Sequence, residues 1–272
     1  MIEPLQRHFR NLNARYQGAE GDRFAIAELA PVAGRFLPAG GRALEIGCGY
    51  GRNLVALATL EARLVVGSDP VHAELVRAGE RVAAARGRAM VARVRQEDER
   101  LPFRDGSFDL VVLWQVLEHV FGRERKRAVI AEAVRVLAPG GHLLVETPNQ
   151  WFPFDYHDNK LPFVHWTGPQ SLRTWLTWKV RGKRYHPSEY LSLPGVERLL
   201  RATPGVTRIT RATRIYFAPG FGAAWRDLAG TQIGAKRALF AMLAPVHALL
   251  ASFGGSADCL LPSLRVVWRV DK

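Results

Sequence analysis

About a sixth of the way along the chain the sequence runs Glu45-Ile46-Gly47-Cys48-Gly49-Tyr50-Gly51, three glycines at alternate positions directly behind a short apolar run. Glycines so spaced let a backbone turn sharply and approach a ligand closely, and a helix opening behind them offers unpaired N–H groups. Asp69 closes the next apolar run, where an acidic side chain can accept both hydroxyls of a ribose. The dinucleotide fingerprint would need a third glycine, but Arg52 and Asn53 stand at that place, which favours a mononucleoside-like cofactor.

Three histidines are candidates for proton transfer near neutral pH, His119 in Leu117-Glu118-His119-Val120, and His157 and His165 on either side of Leu161-Pro162-Phe163-Val164. Each has a plain structural alternative, loop shaping for His119 and a surface or capping role for the other two. Cys48 and Cys259 are the only cysteines, which excludes a disulfide scaffold and a four-cysteine zinc site, and no metal site is expected.

The elements that must position these residues alternate from Ala43 onward. Strands are expected at 43–46, 64–67, 90–94, 108–113 and 142–146, with helices from Leu54, over 71–85 and over 123–137, the last ended by Ala138-Pro139-Gly140-Gly141. Such alternation implies a parallel sheet in a doubly wound α/β fold. A polar, helix-permissive stretch to residue 37 reads as an N-terminal helical cap. Beyond Thr147 an aromatic, proline- and histidine-rich insertion over about 148–187 has no clean period. A helix capped by Ser192, a strand over 206–217 and a last strand over 264–270 follow, and about 218–263 forms an apolar helical insertion.

Composition narrows the class. At 48% hydrophobic and 23% charged residues the chain is neither disordered nor a coiled coil. Lys and Arg number 38 against 25 Asp and Glu, a formal net charge of +13, which fits nucleic acid, an anionic membrane face or an acidic substrate. The opening MIEPLQRHFR carries charges where a secretory signal needs an apolar run, so export is not expected and a cytoplasmic location is. The longest nearly uncharged stretch, 238–253, is shorter than the ~20 residues that span a bilayer.

The segments ALEIGCGYG, VVGSDP, QEDERLPFRDGSFDLVVLWQVLEHV and RVLAPGGHLLVETPN occur in that order. Together they resemble the class I S-adenosylmethionine-dependent methyltransferases of the methyltransferase-11/UbiE-UbiG-like group, over about residues 40–150. The resemblance implies a Rossmann-like seven-stranded sheet with helical insertions and S-adenosyl-L-methionine as cofactor. It implies that Glu45, Gly47, Gly49 and Gly51 line the methionine end, Asp69 holds the ribose, and Glu97 with Asp98 meets the adenine, where such families usually place an Asp. Trp114 and Gln115 would sit beside the sulfonium. After the fourth strand Trp114-Gln115-Val116-Leu117 replaces the Asn/Asp-Pro-Pro-aromatic motif that reads amide or adenine nitrogens.

The expected reaction is methyl transfer to a hydroxyl or carbon of a small, hydrophobic or lipid-linked acceptor, with the 148–187 insertion as substrate lid. Residues 173–184, RTWLTWKVRGKR, interleave cations with Trp175 and Trp178 and carry no acid, a composition suited to an anionic membrane surface at its inner face and also to single-stranded nucleic acid, with a solvated lid helix holding two core tryptophans as the plain alternative. The apolar stretch 238–261 tips that choice toward lipid, with a buried helix or a homo-oligomer contact as its plain alternative. An RNA or nucleotide methyltransferase, and a non-catalytic cofactor-binding partner subunit, are the competing readings.

Overall fold

In a computed structural model the described residues are 18–85, 90–95, 100–155, 159, 161–214 and 263–272. Among them the main sheet has strands β1 (Arg42–Ile46), β2 (Leu64–Asp69), β3 (Met90–Arg95), β4 (Phe108–Trp114), β5 (Leu137–Pro148), β6 (Arg208–Arg214) and β7 (Ser263–Asp271). Their order is β3-β2-β1-β4-β5-β7-β6. The first five strands are parallel, and β7 runs antiparallel to both β5 and β6.

Both faces of the sheet are apolar, so the strands read as continuous hydrophobic runs, and alternate residues serve opposite layers. Leu44, Val111, Leu113, Val145 and Val266 pack with Ile130, Ala133 and Val134 of one helix (Arg123–Val136) and with Val196, Leu199 and Leu200 of another (Leu193–Arg201). Ala43, Leu110, Val112, Leu144 and Val267 face the other way. They meet residues of four helices, α1 (Ala19–Glu28), α2 (Ala30–Phe36), α3 (Arg52–Ala58) and α4 (His72–Ala84). The doubly wound architecture follows from this two-sided burial.

Several boundaries depart from expectation. Ala138-Pro139-Gly140-Gly141 does not separate the 123–136 helix from a later strand. β5 begins at Leu137, opposite Phe108, and the register then jumps to Leu110 opposite His142. The four residues form an irregularity inside the strand, with Gly140 at φ +70. Gly and Pro cannot hold a regular ladder, but a bulge accommodates both. The helix capped by Ser192 is as expected, its side chain accepting from the Gly195 N–H at 3.2 Å. Of the cap expected up to residue 37, Ala19–Glu28 and Ala30–Phe36 are helices, and residues 1–17 lie outside the described residues. The apolar insertion expected over 218–263 lies outside the described residues except for Ser263.

The glycine turn after β1 is sterically fixed. Gly51 has φ +80, and a Cβ there would lie 2.7 Å from the Ala78 Cβ and 2.8 Å from its Cα on α4. Gly51→Ala is therefore expected to lower unfolding free energy by roughly 2–4 kcal/mol, from left-handed strain plus overpacking against backbone. Urea denaturation measures it. Unchanged stability would show that α4 does not seat on this turn.

Candidate functional site

The strand order reverses between β1 and β4, since the chain winds outward to β3 on one side and to β5 on the other. At such a switch point the loops leaving the two strands diverge and open a crevice at their carboxyl ends. Glu45, the 47–51 turn and Asp69 lie on one side of it, and Gln115, Val116 and the Leu117–His119 turn on the other.

Asp69 is buried at the end of β2 and uses both carboxylate oxygens on backbone. Oδ2 accepts from the Gly49 N–H at 2.8 Å and Oδ1 from the Val71 N–H at 2.8 Å. The N–H groups of Gly47 and Cys48 donate to the Ser68 carbonyl at 2.7 and 3.0 Å. The glycine turn is thus pinned to β2 before any ligand arrives. Each carboxylate oxygen retains a second lone pair.

The glycines have separate duties. A Cβ on Gly47 would come within 2.6 Å of Val116 Cγ2, so this glycine lets the loops after β1 and β4 touch. A Cβ on Gly49, φ +48, would meet nothing within 4 Å, so this glycine faces open space and is required by its conformation. The thiol of Cys48 is pushed up by burial, with the Glu45 and Asp69 carboxylates adding to the effect. It is inert as a nucleophile.

Glu45 is 1% exposed. Its Oε1 accepts from Asn53 Nδ2 at 2.7 Å. Its Oε2 and the Asn53 Oδ1 are both buried with no partner. Burial raises the Glu45 carboxyl to about 7, against the lowering effects of the Asn53 hydrogen bond and the Arg52 charge and together with the raising effect of the Asp69 charge. Two buried polar atoms left without a partner at neighbouring side chains are costly. Asn53 was visible in the sequence only as the residue that breaks the dinucleotide fingerprint, and that departure was itself the available signal.

On the opposite side of the crevice Gln115 leaves β4 with φ +57, its N–H donating to the Glu146 carbonyl at 2.8 Å. The Trp114 ring is buried beneath the Arg265 guanidinium, 4.8 Å from its centroid, and Arg265 also pairs with Glu28 of α1. This contact, which ties the end of β4 to α1 and β7, has no local sequence signal. Glu118 is fully buried and accepts from Thr147 Oγ1 at 3.1 Å.

The segment beyond β5 folds back over these loops. The Glu189 N–H donates to the Glu118 carbonyl at 2.9 Å. The Glu189 carboxylate accepts from the Gly122 N–H at 3.0 Å and from the buried Lys126 ammonium at 2.7 Å. Asp155, also buried, accepts from Tyr190 Oη at 2.9 Å and Asn159 Nδ2 at 2.8 Å. His165 is half-buried. Its Nε2 lies 3.1 Å from the Gln150 carbonyl, its ring lies 5.3 Å from that of Tyr190, and burial holds its pKa below the usual imidazole value. His119 is exposed and meets the His186 ring edge-on at 5.9 Å. Glu97, Asp98 and His157 lie outside the described residues. Among the described residues no cluster of three or more ligating side chains could hold a metal.

Residues 44–145 match the family described as methyltransferase domain. Among curated proteins, the ubiquinone biosynthesis O-methyltransferase of Xanthomonas axonopodis pv. citri is 31% identical over 147 residues, 52% of this chain and 59% of that one. The 27-O-demethylrifamycin SV methyltransferase of Amycolatopsis mediterranei is 36% identical over 107 residues, 39% of this chain and 38% of the relative. The chain thus spans about three-fifths of the first relative and about two-fifths of the second. The crystal structure of the PH0226 protein from Pyrococcus horikoshii OT3 shares the fold, with a TM-score of 0.58 at 18% identity, covering 93% of this chain and 92% of that one.

The geometry around Glu45 gives a signed pH prediction. Its folded pKa of about 7 stands above its ordinary 4.5, so the unfolded state loses its proton first, and the ligand-free protein loses stability as pH rises from about 4.5 to about 7. Glu45→Gln removes that loss. The variant is expected to equal the wild type at about pH 4 and to exceed it by about 3 kcal/mol at about pH 8 in urea melts. A constant difference across that range would contradict the assignment.

Proposed function

We propose that this chain, whose residues 44–145 match a methyltransferase domain, is a class I S-adenosylmethionine-dependent methyltransferase that transfers a methyl group to a hydroxyl or carbon of a small, hydrophobic or lipid-linked acceptor met at a membrane face. The observation that carries the cofactor reading is the pair of orphaned atoms beside the glycine turn, Glu45 Oε2 and Asn53 Oδ1. They suit the ammonium of the cofactor's methionine end, and the open space above Gly49 leaves its backbone accessible.

S-adenosyl-L-methionine supplies an electrophilic methyl on a sulfonium. The protein's share of the reaction is orientation and exclusion of water. Asp69 is suited to hold the ribose through its remaining lone pairs while keeping the turn in place. Trp114 and Gln115 border the crevice at the end of β4, where the sulfonium would lie. The segment 148–187, tied down through Glu189, is the substrate lid in this reading.

If the acceptor is a hydroxyl, its proton must leave. His119 projects from the loop beside the crevice, and His165 is kept neutral by burial, so either imidazole is suited to take it. The two relatives, a ubiquinone biosynthesis O-methyltransferase and a 27-O-demethylrifamycin SV methyltransferase, support a hydroxyl over a carbon.

Calorimetric titration with S-adenosylhomocysteine tests the cofactor half. The wild type is expected to bind. Asp69→Ala should bind at least about tenfold more weakly, since a hydrogen bond to a charged group is worth roughly 1.5–3 kcal/mol. Binding unaffected by Asp69→Ala would remove the assignment of the ribose to that carboxylate. Transfer of labelled methyl into an organic-solvent extract of lipids, and not into aqueous metabolites, tests the acceptor half.

A further inference from the structure

The helix Gln170–Arg181, here α5, is built inside out for a soluble protein. Only Thr177 is buried along its length. Leu172, Trp175, Trp178 and Val180 are 40%, 53%, 60% and 64% exposed. At 100° per residue Leu172, Trp175 and Lys179 lie on the arc opposite Thr177 and Trp178 lies about 100° from it, and both tryptophan rings are exposed.

The helix packs against the Val164–Trp166 turn, which adds two more exposed rings, Phe163 at 52% and Trp166 at 50%, their centroids 5.4 Å apart. Phe163 has φ +54, a conformation rare for a bulky residue and retained here with the ring outward. Over 170–184 there are five cations, Arg173, Lys179, Arg181, Lys183 and Arg184, and no acid. The Lys179 ammonium lies 5.8 Å from the centre of the Trp178 ring. Among the described residues no helix is long and apolar enough to cross a membrane.

We infer that α5, with the adjoining Phe163–Trp166 turn, is the surface through which this protein docks on an anionic phospholipid bilayer, rings at headgroup depth and cations toward lipid phosphates. Charge complementarity and the outward rings carry the choice of occupant. Single-stranded nucleic acid would use rings and cations as well, but it has no use for the exposed aliphatic Leu172 and Val180, which stack on nothing. The inference deepens the hydrophobic-acceptor reading by naming the membrane-facing element. Its test does not depend on that reading.

Full-length protein is sedimented with phosphatidylcholine vesicles containing phosphatidylglycerol and with phosphatidylcholine vesicles alone. Binding is expected only to the anionic vesicles and should weaken with salt. The double variant Trp175→Ala, Trp178→Ala should bind at least about tenfold less, and Lys179→Gln about fivefold less, the value of one cation near the surface. Circular dichroism spectra and thermal melts matching the wild type verify that these variants are folded. No binding of the wild type to anionic vesicles, or equal binding by the double tryptophan variant, overturns the inference. Binding to a single-stranded oligonucleotide without vesicle binding also overturns it and assigns the patch to nucleic acid. Vesicle binding by a protein that fails to bind S-adenosylhomocysteine would sink the proposed reaction and leave this surface standing.

Discussion

One carboxylate holds the site in shape. Asp69 ends β2 and accepts from the N–H of Gly49 in the turn after the neighbouring strand and from the N–H of Val71 just beyond its own. These charge-assisted bonds join the glycine turn, the end of the second strand and the start of α4 into one rigid corner. Without them the turn would have to be ordered by the ligand, at the cost of fixing several glycine-rich residues on binding. Glu45, one strand away, is the complementary case. It is buried but only half satisfied, so the corner is rigid at Asp69 and leaves polar atoms unpaired at Glu45.

The same logic extends across the switch point. Gly47 admits Val116 at a distance no side chain there would allow, which brings the loop after β4 against the loop after β1. That second loop is secured in turn by Glu118 with Thr147, and by the Lys126–Glu189 pair that reaches into the segment beyond β5. The Arg265 stack on Trp114 and its pair with Glu28 bring in the last strand and the first described helix. Elements far apart in sequence thus converge on the carboxyl ends of β1 and β4. Loops carried on a buried parallel sheet gain positional accuracy from the sheet without being buried themselves.

How much of this was legible in the sequence depends on the range of the forces involved. β1, β2 and β4 were readable because two-sided burial makes them continuous apolar runs. The glycine turn and Asp69 were readable because backbone geometry restricts which residues serve. The turn expected at Ala138–Gly141 became a bulge within β5, since the partner strand, not the local residues, decided where the ladder began. Asn53 was seen and its role was not, because the hydrogen bond to Glu45 appears only once the strand and the helix are folded together. The Asp155–Asn159–Tyr190 cluster, the Glu189 anchor and the Arg265 stack are long-range pairings without periodic or motif signals. Conversely, the basic and aromatic stretch 173–184 was readable as a composition, but only the fold shows that its tryptophans point outward.

The central claim is that the buried, half-satisfied Glu45 carboxyl receives the cofactor's cation. The most direct measurement is the proton balance of S-adenosylhomocysteine binding near pH 6, by calorimetry in buffers of different ionisation enthalpy. At that pH Glu45, with its pKa raised to about 7, carries a proton that a bound ammonium displaces. The account predicts release of nearly one proton per site in the wild type and almost none in Glu45→Gln. Heats that do not depend on the buffer in the wild type would contradict it.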